Sequence, residues 1–176
     1  MSQGGEAQSI GWGDVAFAAA VAGTLSGAPS TAWALVRGRS VLESTRAAGT
    51  LIPGRRHRPS LMAGAAVHVV ISTFWTAVLA AAAARRPIRT AGAAGAGLAI
   101  AAVDLGVIGR RYPAIRALPT VPQWLDHAAF GAVVATTLRI RARPPSRMLG
   151  QTWPPTSIFD PTFTELACCA PRSCTR

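Results

Sequence analysis

Four stretches of this chain carry almost no charge, and arginines stand at their ends. The stretches are residues 15–36, 61–84, 90–109 and 124–140. The arginines gather between them as Arg37 and Arg39, then Arg55, Arg56 and Arg58, then Arg85, Arg86 and Arg89, then Arg110 and Arg111, then Arg139, Arg141 and Arg143. A surface helix of a soluble protein shows a polar stripe along one face, and these runs show none. A hydrocarbon core of roughly 30 Å takes about 20 helical residues to cross. The first three runs meet that length. The fourth is short and would need its ends to snorkel or the bilayer to thin. The pattern predicts an all-α fold, a four-transmembrane-helix bundle over 1–143, with a short interfacial helix and a disordered tail over 144–176.

Charge supports the same reading. All 18 basic residues are Arg and the formal net charge is +11. A basic chain can bind nucleic acid when its cations form a patch. Here they sit at helix flanks, where they meet anionic headgroups. The expected partner is therefore an anionic lipid bilayer, with Arg110 and Arg111 as headgroup contacts, and not nucleic acid. Half of the residues are hydrophobic, which is too apolar for a disordered chain. Nine arginines fall on each side of the expected bundle, so the positive-inside rule sets no orientation.

No Lys or Arg precedes the first run, its apolar part is long, and Pro29 interrupts it. It is not read as a signal peptide and is expected to stay in the mature chain. After it, Ser40 and Glu43 have capping-box spacing. Val41, Leu42, Ala47, Ala48 and Leu51 share one face of a short helix that Pro53-Gly54 would end. That segment predicts a helix lying on the membrane. The link from Arg85 to Arg89 allows only a tight reversal. Residues 110–123 hold three prolines and no helical period, so a firm loop or partly re-entrant segment is expected. Thr120 and Gln123 are candidate caps of the fourth helix, with Pro122 in its first turn. The tail is rich in proline and holds all three cysteines, Cys168, Cys169 and Cys174. With no histidine nearby they lack a zinc ligand set, and free thiols are expected.

The polar residues inside the runs are the candidate functional groups. The first run contains Ser26, Pro29, Ser30 and Thr31. A proline frees backbone groups, and neighbouring hydroxyls can satisfy them or line a polar cavity. Small residues recur every fourth position, as in Ala18, Ala22 and Ser26 or Ala93, Gly97 and Ala101, and such stripes let helices approach closely in lipid. At about 1.5 Å per residue, His68 lies roughly 10 Å into its helix and Asp104 roughly 7 Å from the end of its own. Asp126 and His127 fall within about two turns of their helix start. With antiparallel neighbours, all four lie in one leaflet, on the side of loops 37–60 and 110–123. A carboxylate there is costly unless paired. His68, Asp104, Asp126 and His127 are therefore expected to form a polar cluster, either a structural knot or a proton- or ligand-handling site. No metal, cofactor or nucleophile motif accompanies them. Two buried His–Asp pairs are favoured over a metal site.

Four phrases, "GAPSTAWAL", "ESTRAAGTL", "DLGVIGRRYPAIRALP" and "DHAAFGAVV", resemble a family of small, uncharacterised four-helix integral membrane proteins of high-GC bacteria. The resemblance covers residues 14–143 and implies a multi-pass location in the bacterial cytoplasmic membrane, with no established activity. The expected function is a small membrane component, transport-related or stabilising a complex, acting with a membrane-protein partner or as a homo-oligomer. The alternative is an intramembrane enzyme using His68 and Asp104 as an acid–base pair.

Overall fold

The computed structural model describes residues 10–86 and 89–142. The tail expected to be disordered, with its cysteines, lies outside them, as do Pro87 and Ile88 of the reversal. The described residues are all helical, with no strand. The helices are α1 (Trp12–Leu25), α2 (Ala28–Val36), α3 (Glu43–Ala48), α4 (Leu61–Arg85), α5 (Thr90–Val103), α6 (Pro113–Arg116) and α7 (Thr120–Arg141). A π-helical turn, Asp104–Ile108, and a 3-10 turn, Gly109–Arg111, continue α5.

Three helical stretches are long and apolar enough to cross a membrane: Trp12–Val36, Leu61–Arg85 and Thr90–Arg111. At most 28% of the most apolar window of each is buried within the protein, so most of their apolar surface faces outward. Val36, Met62 and Val70 are 83%, 79% and 67% exposed, more than a soluble surface of this size tolerates in contiguous patches. The more polar α7 is not among these stretches. It begins at Thr120, four residues earlier than the apolar run, and spans 22 residues. This start places Pro122 in the first turn of the helix, as its sequence predicts.

Packing runs through small residues. α5 lies along α7, α1 packs on both α4 and α7, α2 packs on α7, and α3 packs on the start of α4. A Cβ at Gly97 would overlap the His127 carbonyl, and one at Gly131 would overlap the Ala93 carbonyl. The α5–α7 crossing thus exists only because neither position has a side chain. Gly64 meets the Thr45 carbonyl in the same way where α3 crosses α4. By contrast α4 and α5, consecutive long helices, do not pack backbone to backbone along their length.

The apolar core sits toward one end of the bundle. It joins Val15, Ala18 and Ala22 of α1, Leu79 and Ala80 of α4, Ile100 of α5, and Phe130, Val134 and Leu138 of α7. At that end Arg141 Nε donates to Asp14 Oδ1 at 2.9 Å, and Gly11 N–H donates to Asp14 Oδ2 at 3.2 Å. These contacts are exposed and hold ends together more than they stabilise.

Two capping expectations are corrected. Ser40 and Glu43 form no capping box: α3 starts at Glu43 itself, whose carboxylate pairs with Arg39 at 2.7 Å. The exposed ion pair draws the glutamate away from the helix start. Thr120 does not cap α7 either, because it is the first helical residue and Pro119 holds the cap position. At the start of α4, Ser60 Oγ does accept from the Ala63 N–H, at 3.4 Å.

Candidate functional site

The polar stretch of the first span is a break in the helix. Ser26 and Gly27 separate α1 from α2, and Pro29 is the second residue of α2. Proline has no N–H to donate to the preceding turn. In an unbroken helix the Ser30 N–H would donate to the Ser26 carbonyl. Instead it donates across the bundle to Asp126 Oδ1 of α7 at 2.9 Å. Asp126 thus supplies, from another helix, the carboxylate that a helix N-terminus attracts. The other side of the break is satisfied from α4. The Gly23 carbonyl, among the last four of α1 that lack intrahelical donors, receives His68 Nε2 at 2.8 Å. A carbonyl only accepts, so the His68 proton is on Nε2. Ser30 Oγ donates to the Gly27 carbonyl at 3.2 Å, inside the same break.

Asp104 stands where α5 turns into the π-helical segment, and its carbonyl receives the Gly109 N–H. Such turns insert a residue and re-aim the side chains around them. Asp104 Oδ2 accepts from Trp75 Nε1 of α4 at 3.1 Å. His127 Nε2 lies 3.6 Å from the same oxygen, an ion-pair distance. His127 Nδ1 is 2.8 Å from the Gln123 carbonyl, so Nδ1 carries a proton. Nε2 thus faces the Asp104 carboxyl at a distance longer than a hydrogen bond.

These groups line one cavity of about 490 Å³. It occupies the end of the bundle opposite the apolar core. Ser26, Ser30, Thr31, His68, Asp104, Asp126 and His127 are all on its wall. Pro29 is not; its role is the break itself. Arg110 and Arg111 are also off the wall and exposed, and the Arg111 carbonyl accepts from Arg56 Nε at 2.8 Å. Of the four expected cluster members, Asp104 and His127 pair directly. His68 and Asp126 are each held by backbone of the first span. No contact pairs His68 with Asp104 among the described residues.

Three features of the cavity were not foreseen. Val41, Leu42, Ala48 and Leu51, read as a membrane-facing surface, also line the cavity, while Val41 and Leu42 stay 41% and 39% exposed. Ile115 and Leu118 of the loop after α5 line it as well. Trp75 bridges α4 to Asp104, and its position was readable, because it follows His68 and Ser72 on one helical face. No group of three or more metal-ligating side chains gathers among the described residues.

The Asp126 contact has a direct test. Asp126→Ala removes the acceptor of the Ser30 N–H and should lower stability by about 1–3 kcal/mol. Asp126→Asn keeps a side-chain oxygen there and should cost distinctly less. Thermal unfolding of the two variants in detergent checks the order.

No protein-family model, curated protein or solved structure matches the chain. Function is therefore argued from the site and not from relatives.

Proposed function

We propose that this chain is a four-crossing protein of the bacterial cytoplasmic membrane whose hollow end holds a small molecule, as a non-enzymatic, transport-related component. One observation carries the reading: His68, Asp104, Asp126 and His127, the ionisable side chains set within the apolar runs, lie on the wall of the 490 Å³ cavity. Embedded ionisable residues are costly and mark pathways or binding sites, and the volume suits a small ligand. A structural knot would instead be collapsed around its polar atoms. The fourth crossing rests on α7. Its 22 residues reach about 33 Å at ~1.5 Å each. Its polar residues near the start face the cavity and its last turn carries Arg139 and Arg141, which can reach the interface.

The expected result is resistance to carbonate and high-salt extraction, with release only by detergent. Four crossings also place residues 10 and 142 on the same side. Single cysteines engineered at these two positions, in a chain with its native cysteines replaced, should react alike with an impermeant thiol reagent. Opposite labelling would leave three crossings, with α7 lying outside the bilayer core.

A second reading, an intramembrane acid–base enzyme, is favoured by the 3.6 Å approach of His127 Nε2 to Asp104 Oδ2. It moves the catalytic pair from His68–Asp104 to His127–Asp104. Turnover lost in His127→Ala with the fold intact would establish it over the ligand-holding reading.

A further inference from the structure

The protein is strongly basic, yet no arginine among the described residues lines the cavity, while two carboxylates do. The ionisable lining is two carboxylates, Asp104 and Asp126, and two imidazoles, His68 and His127. The cavity wall thus offers acidic groups and, among the described residues, no guanidinium inside a positive molecule. Its free polar atoms agree. Among the described residues no hydrogen bond falls on Asp104 Oδ1, and Asp126 accepts from Ser30 alone. His68 Nε2 lies on the Gly23 carbonyl at 2.8 Å. The charged acceptors the cavity offers are then the two carboxylates. The lining also includes the apolar side chains Leu42, Leu51, Ile71 and Ile115.

We infer that the cavity takes a monovalent organic ammonium ion with an apolar body, its N–H groups donating to Asp126 and Asp104. This rests on the reading of the cavity as a ligand site. A carboxylate or phosphate ligand would face two carboxylates with no arginine to meet it. A neutral apolar ligand would bring no donor to the two carboxylates, at a cost to affinity. A metal ion has too few converging ligands among the described residues.

The test uses the full chain in nanodiscs of zwitterionic lipid, with empty nanodiscs as the blank for partitioning. Phenylbutylammonium, phenylbutanol and phenylpentanoate, which share an aryl-alkyl body and differ in head group, are titrated calorimetrically. The ammonium should bind at least tenfold more tightly than the alcohol, and the carboxylate should not bind above the blank. Asp126→Asn, which keeps the acceptor for Ser30 but loses the charge, should weaken the ammonium at least tenfold and leave the alcohol unchanged. Should that variant fail to fold, the three-ligand comparison on the native chain decides. Equal binding of ammonium and alcohol, abolished by the cavity-filling Ile71→Trp, would overturn the cation assignment while keeping the cavity as a ligand site. Binding of no probe above the blank, with Ile71→Trp without effect, would overturn both.

Discussion

Gly97→Leu is expected to abolish assembly of the bundle. A Cβ at this position overlaps the His127 carbonyl and comes 3.1 Å from Ala128 Cα. Both obstacles are backbone, so no rotamer change relieves them. α5 would have to lift from α7, opening the longest packed seam in the fold and separating Asp104 from His127. Overpacking typically costs 1–3 kcal/mol; a backbone-on-backbone clash in this seam should reach at least about 3 kcal/mol. The expected readout is loss of the monodisperse peak in detergent chromatography, or a midpoint too low to measure. Gly95, one turn-face away on the same helix, has nothing within 4 Å of its Cβ position. Gly95→Ala should therefore be neutral or stabilising by up to about 1 kcal/mol, the helix-propensity gain. Equal tolerance of substitution at 97 and 95 would mean that α5 and α7 do not cross as described.

Asp104→Ala should be the most damaging change in the cavity wall. It strands two groups at once, the Trp75 indole N–H and the Nε2 edge of His127. Each stranded buried group costs about 1–3 kcal/mol, so a combined loss on the order of 3 kcal/mol is expected. Asp104→Asn should cost much less. Its oxygen can take the indole N–H while its amide donates to a neutral His127. Thermal unfolding of both variants gives the order, and Trp75 fluorescence reports whether the indole has lost its partner. An alanine variant as stable as the asparagine variant would show that Asp104 holds neither group. If the site moves protons, the asparagine variant keeps its fold and loses activity.

The long helices were legible because hydropathy is a property of composition along the run, and runs 15–36, 61–84 and 90–109 carry it strongly. That His68, Asp104, Asp126 and His127 gather at one level of the bundle was legible too, since rise per residue converts position along a helix into height, and the four line one cavity. Rotation was not. Nothing in the order of residues says that His68 turns to the Gly23 carbonyl while His127 turns to Asp104. That choice depends on which helices are neighbours and on the break at Ser26–Gly27. The face of α3 illustrates a second limit. An apolar face suits lipid and an apolar cavity wall equally well, so Val41, Leu42, Ala48 and Leu51 could be grouped correctly while their place on the cavity wall went unread. The capping expectations failed at a third level. Ser40 and Thr120 have the right spacing, but the cap positions of α3 and α7 fall on Leu42 and Pro119 instead.

The glycine seam has a mechanical consequence. Two helices that meet backbone to backbone can neither slide nor roll without collision, so α5 and α7 share one set of rigid-body coordinates. Asp104, Asp126 and His127 all ride on that fixed frame. Ser30 does not: it belongs to α2, which is joined to α1 at Gly27, where a Cβ would meet nothing within 4 Å. The bond from Ser30 to Asp126 is then a latch between a frame and a leaf, with Ser26–Gly27 as the hinge. A ligand that drew Asp126 away from the Ser30 N–H would release that latch, and binding would be read out as the angle of half a helix.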